Sequence, residues 1–138
     1  MPGHYHNRYP QQYEAELRAA RQAGVVPTAV PGTQFDGLAA EGERMIYVVV
    51  DGQLRVSKRR ARGEHISHAV LAGGDLVHAA GEFEVIDRDG AWEVIALNNM
   101  SGHYRPAPDT LEIARAAFES AGLPVRPDGM QHYDLGTP

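Results

Sequence analysis

The chain has 138 residues, no cysteine and a formal net charge of −5. That length suits one compact domain, its 43% hydrophobic content is enough for a core, and the acidic balance argues against bulk nucleic-acid binding. Without thiols there are no disulfides, no Cys-based zinc site and no thiol catalysis in this chain, and no apolar run is long enough for a membrane.

Residues 1–9 are polar and aromatic and read as irregular. They lack a basic n-region and an apolar h-region, so no signal peptide is expected; the chain reads as soluble and cytoplasmic, or as delivered to a target cell. Pro10 to Ala23 reads as a helix. Pro10 suits a first turn, Tyr13, Leu17 and Ala20 share one face, and Gly24 is a stop. Val25 to Gly42, with Pro27, Pro31, Gly32 and Gly37, reads as a long wrapping loop.

The hydrophobic period then changes to two. Met45–Val50, Asp51-Gly52 and Gln53–Ser57 predict a β-hairpin with a type I′ turn. Glu82–Asp87, Asp89-Gly90 and Ala91–Leu97 predict a second, in which Phe83 and Val85 alternate with outward-facing Glu82 and Glu84. The basic run Lys58-Arg59-Arg60-Ala61-Arg62 reads as a solvated hairpin end, with a phosphate patch as the competing reading. Between the hairpins, His65–Leu71 reads as a strand, and Gly73-Gly74 as a tight turn or a close backbone approach. The best-marked helix follows Asp109, which forms a capping-box pattern with Glu112. Ala114, Ala117, Phe118 and Ala121 form its buried stripe, and Gly122 and Pro124 end it. Pro127 to Pro138 reads as a polar, mobile tail.

The expected architecture is α+β: an antiparallel sheet of two Asp-Gly hairpins plus a central strand, barrel-like if it closes, with an N-terminal and a C-terminal helix. Residues 1–43 supply the first helix and wrapping loop, 44–123 the core sheet and last helix, and 124–138 the tail, all in one compact domain.

Chemistry-bearing residues concentrate in Asn98–Pro106, at a strand-to-helix junction. An imidazole titrates near neutrality, so His103 suits acid/base work. Arg105 suits two-point grip of a phosphate or carboxylate. Ser101-Gly102-His103 lacks the Gly-x-Ser-x-Gly elbow, so a triad has no motif support. The competing reading makes His103, Tyr104 and Arg105 a packing staple between strand and helix. His65 and His68 are three apart. On a helix they could chelate a metal, but on a strand they point to opposite faces, so no metal site is expected. His65 and Ser67 would share a face and could line a pocket. Glu82, after Ala79-Ala80-Gly81, could act as a base or bind a ribose, or could be a plain surface residue.

The series His65-Ile66-Ser67-His68, Leu71-Ala72-Gly73-Gly74, Ala80-Gly81-Glu82, the Gly90 turn and Ser101-Gly102-His103-Tyr104-Arg105-Pro106 resembles a module at the C-terminus of many bacterial polymorphic-toxin-like proteins. It is also similar to part of plant IQ-motif calmodulin-binding proteins. The resemblance covers about residues 44–123. No IQ motif is present here, so calmodulin binding is not implied. What the resemblance implies is a small bacterial effector or stand-alone enzyme, with a pocket between the His65–Leu71 segment and the Ser101–Arg105 loop.

The expected function is that of a transferase or hydrolase acting on a polar, phosphorylated or nucleotide-like ligand, ADP-ribosyl-type transfer being one chemistry that fits. His65 and His103 are assigned catalytic roles. Ser67, His68, Glu82, Ser101, Tyr104 and Arg105 are assigned to ligand binding; no metal or cofactor is assigned. The alternative is a non-catalytic binding or immunity module with a protein partner, in which the His-Tyr-Arg cluster is structural.

Overall fold

In the computed structural model, which describes residues 5–25, 28–30, 42–61, 64–73 and 76–134, the two Asp-Gly turns organise the sheet. Both residues of each turn have positive φ, 50° and 77° at Asp51-Gly52 and 54° and 87° at Asp89-Gly90, as a type I′ turn requires. In chain order the elements are α1 (Tyr13–Gln22), β1 (Thr28–Val30), β2 (Met45–Val50), β3 (Gln53–Lys58), β4 (Arg60–Ala61), β5 (Glu64–His65), α2 (His68–Ala72), β6 (Ala79–Arg88), β7 (Ala91–Asn98), α3 (Leu111–Ser120) and β8 (Met130–Gln131).

The main sheet runs β1-β3-β2-β6-β7-β8. Every pairing is antiparallel except β7 with β8. The order is linear with β1 and β8 as edges, so the sheet is open and not the barrel that two hairpins also allow. A separate two-stranded ladder joins β4 to β5.

β2 is buried along its whole length, so its alternate side chains serve two cores. Met45, Tyr47 and Val49 face α3, where Tyr47, Phe83 and Phe118 form an edge-on aromatic cluster with centroids 4.9–6.3 Å apart. Ile46, Val48 and Val50 face the other side, where they meet α2, Ala20 of α1 and Tyr104. The result is three layers: α3, the sheet, then α1 with α2.

Several expectations shift. The His65–Leu71 strand ends at His65. Ser67 is extended (ψ 153°), its Oγ accepts from Val70 N at 3.4 Å, and a fully buried helical turn follows, closed by Gly73 at φ 66°. The face-alternation argument for His65 and His68 therefore does not apply, because a helix start lies between them. Asp109 is exposed and caps nothing. Pro106 and Pro108 keep the chain extended and then in a 3₁₀ turn, so α3 begins at Leu111, one residue late for the capping box. The wrapping loop contributes β1 to the sheet edge; residues 31–41 lie outside the described residues.

The expected tail is instead integrated as far as residue 134. Val94 N donates to Pro124 O at 2.8 Å and Arg126 N to Val94 O at 2.9 Å, and β8 then pairs with Leu97 and Asn98. A bulge in β7 leaves Ile95 unpaired with β6. A Cβ on Gly129 would lie 2.0 Å from the Ile95 carbonyl oxygen, so only glycine fits there.

Candidate active site

The end of β7 carries the first structural requirement of the site. Asn98 Oδ1 accepts from Glu82 N (2.8 Å) and Met100 N (2.9 Å), its Nδ2 donates to Glu82 Oε1 (3.1 Å), and its carbonyl accepts from Tyr47 OH (2.7 Å). Burial pushes the Tyr47 phenol far above its usual range, so it stays a donor. Asn99 is wholly buried. Its Nδ2 donates to Pro106 O (3.0 Å) and Tyr133 O (2.8 Å), and its Oδ1 accepts from Tyr133 N (2.7 Å). The loop that follows is thus fixed at both ends.

Inside that loop the chain turns tightly. Arg105 N donates to Ser101 O at 2.7 Å and Tyr104 N to Ser101 Oγ at 3.3 Å. Arg105 adopts φ 44°, a left-handed conformation unusual for a non-glycine residue. This turn sends Tyr104 into the core, 1% exposed. His103 instead reaches Glu16 on α1 and lines a cavity.

A cavity of about 130 Å³ lies between this loop, α2 and the first half of β6. His65, Ser67, His68, Glu82, Ser101 and His103 line it, with Arg59 and the apolar Ile46, Ile66 and Met100. Tyr104 and Arg105 do not. Tyr104 is a core residue, and the Arg105 guanidinium, the expected anion clamp, is not part of the wall.

The imidazoles are held differently. His103 Nε2 lies 2.6 Å from Glu16 Oε2 on α1, and both side chains are 22% exposed. The N-terminal segment completes the mount: Arg8 N donates to the His103 carbonyl at 2.7 Å, and the Tyr9 ring meets the imidazole edge-on at 5.3 Å. Residues 5–9, expected to be irregular, are therefore pinned, Tyr5 also bridging to Val77 in both directions. His68 is buried and its Nε2 donates to Gly81 O at 2.8 Å. Desolvation, the main cause, lowers its pKa to about 4, so near neutrality it is an uncharged ring. His65 is more exposed, and its pKa is lowered by desolvation and then by the Arg59 and Arg60 charges.

Glu82 is not the solvent-facing residue that the strand pattern predicts. Its side chain is 19% exposed, with Arg44 Nη1 3.3 Å from Oε1 and Arg59 Nη1 3.6 Å from Oε2. Arg44 Nε also lies 3.5 Å from Glu84. The carboxylate thus sits between two guanidiniums and the Asn98 amide, contacts that fix its orientation. Arg59, read as part of a solvated hairpin end, folds back over the cavity.

The chain matches no protein-family model, no curated protein and no solved structure.

Among the described residues, no group of three or more His, Asp or Glu is arranged to hold a metal ion, and no helix is long and apolar enough to cross a membrane. Of two contributors not assigned to the site, Arg59 is marked in the sequence only as part of a basic run, and Glu16 carries no signal. Glu16 sits on an ordinary amphipathic helix, and its partner lies 87 positions away. Met100, Ile46 and Ile66 are plain apolar residues.

Proposed function

We propose that the protein is a small acid–base enzyme, a transferase or hydrolase, acting on a polar, phosphorylated or nucleotide-like ligand that inserts one small group into this cavity. One observation carries the reading: an imidazole held by a carboxylate at 2.6 Å also lines a cavity that contains two serines and a second, neutral imidazole. With Nε2–H directed at Glu16, a neutral His103 keeps its lone pair on Nδ1, the arrangement of a positioned general base. His65 is the more exposed partner, suited to proton exchange with solvent. Arg59 replaces Arg105 as the cation nearest the ligand. The cavity is small beside the several hundred Å³ of a drug-sized site, so a whole nucleotide would lie partly outside it. The resemblance to toxin-like modules supports an effector or stand-alone enzyme, with ADP-ribosyl-type transfer as the first chemistry to assay.

The test is turnover of a nucleotide panel, including nicotinamide adenine dinucleotide, by wild type, His103→Ala and Glu16→Gln, read by mass spectrometry. Loss of the acid/base group should cost about 10²–10⁴-fold in rate. Full turnover by folded His103→Ala, or no turnover of any nucleotide by wild type, removes the reading.

A second reading has its own support. Tyr104 is buried, and Ser67 and Ser101 both satisfy backbone N–H groups. In a non-catalytic binding or immunity module these contacts would be the reason for the motif, and wild type would turn over nothing.

A further inference from the structure

The cavity has hydrogen-bonding capacity that the fold does not use, and its pattern bears on the ligand. Ser67 Oγ and Ser101 Oγ each accept a backbone N–H, from Val70 and Tyr104. Both residues are buried, at 8% and 1% exposure. Among the described residues neither hydroxyl has an acceptor for its own hydrogen. The imidazoles show the converse. His68 and His103 direct Nε2 at Gly81 O and Glu16 Oε2. In the neutral rings Nδ1 is then a bare acceptor, and among the described residues no donor reaches it. The wall therefore offers unused donors and unused acceptors side by side.

Charge narrows the choice further. Among the described residues the wall holds one guanidinium, Arg59, which already faces Glu82 at 3.6 Å. A phosphoryl group offers only acceptors and negative charge, so inside the cavity it would meet imidazole lone pairs and a carboxylate. A hydroxyl both donates and accepts, so vicinal hydroxyls can satisfy a serine and a histidine together.

We infer that the group entering the cavity is an uncharged, hydroxyl-bearing sugar ring of the ribose type, with any phosphate of the same ligand left outside near Arg59 and Arg60. This inference rests on the enzyme reading above and specifies its ligand. Ile46, Ile66 and Met100 give the ring an apolar surface to lie against.

The experiment is a titration of the ¹⁵N-labelled full chain followed by NMR, using methyl β-D-ribofuranoside, its 2,3-dideoxy counterpart and inorganic phosphate as separate probes. The riboside should shift the Gly102 and Ser101 amides and the His68 ring signals saturably. The dideoxy probe should bind about tenfold more weakly or worse, because the buried partners are left unpaired. Phosphate should leave these signals in place. Equal binding of the two ribosides, saturable binding of phosphate at these residues, or no riboside binding would each overturn the inference. The nucleotide-turnover assay stands apart: turnover dependent on His103 with no riboside binding defeats the ligand class and leaves the enzyme reading intact.

Discussion

Gly81 sits where strand, site and core converge. A Cβ there would lie 1.9 Å from the Asn98 carbonyl oxygen and 2.9 Å from the Tyr47 hydroxyl. Gly81→Ala must therefore push β6 from β7 or break the Tyr47–Asn98 hydrogen bond. We expect a loss of about 3 kcal/mol, measured by urea unfolding; a variant within error of wild type would show that the close approach has no energetic consequence. At the same scale, the imidazole assignments predict that His68 and His103 both carry the proton on Nε2 in the neutral ring. A long-range ¹H–¹⁵N correlation spectrum reads the tautomer directly. In Glu16→Gln the His103 preference should weaken while that of His68, set by Gly81 O, persists. Loss of both together would contradict separate mounts.

At the scale of elements, the two hairpins and the last helix were legible because each rests on local chemistry. Asp-Gly supplies the paired positive φ values, and Ala114 with Phe118 supplies a helical stripe. What was not legible depends on tertiary partners. Ile66-Ser67-His68-Ala69-Val70 has the composition of a strand, yet a single capping hydroxyl and burial on both sides make it a helical turn. Residues 130–131 carry no strand pattern; the β7 bulge and Gly129 create the space that they fill. Ser101–His103 and His65–His68 line one cavity, but the residue types could not say that Tyr104 turns inward or that Glu16 arrives from α1. Asn99 ties three of these elements together, so Asn99→Ala should leave Pro106 O and the Tyr133 backbone unsatisfied. The expected cost is about 2 kcal/mol by thermal or urea unfolding, with faster amide exchange in β8. Unchanged exchange there would mean that the strand pairs without the asparagine.

For the whole molecule, the buried neutral His68 sets a pH dependence whose sign can be worked out. Its folded pKa of about 4 lies below the ordinary 6.5, so the unfolded chain takes up the proton first. The resulting stabilisation is complete above pH 6.5 and is lost progressively as the pH falls toward about 4. The full loss is on the order of 3 kcal/mol, from the free-energy equivalent of that shift. Urea midpoints at about pH 7.5 and about pH 4.5 should differ more for wild type than for His68→Gln, which retains a donor for Gly81 O without a titrating ring. Equal slopes in the two proteins would remove His68 as the cause.

Asn99 also has a mechanical meaning. Its three hydrogen bonds and the short parallel ladder of β7 with β8 place the chain around Tyr133 in series with the loop that bears Ser101 and His103. A parallel ladder pulled along its strands is loaded in shear, with its bonds sharing the force. Tension applied at Asp134 would therefore load the Asn99 hydrogen bonds and the β7–β8 ladder together, so the cavity loop and the sheet edge share one anchor.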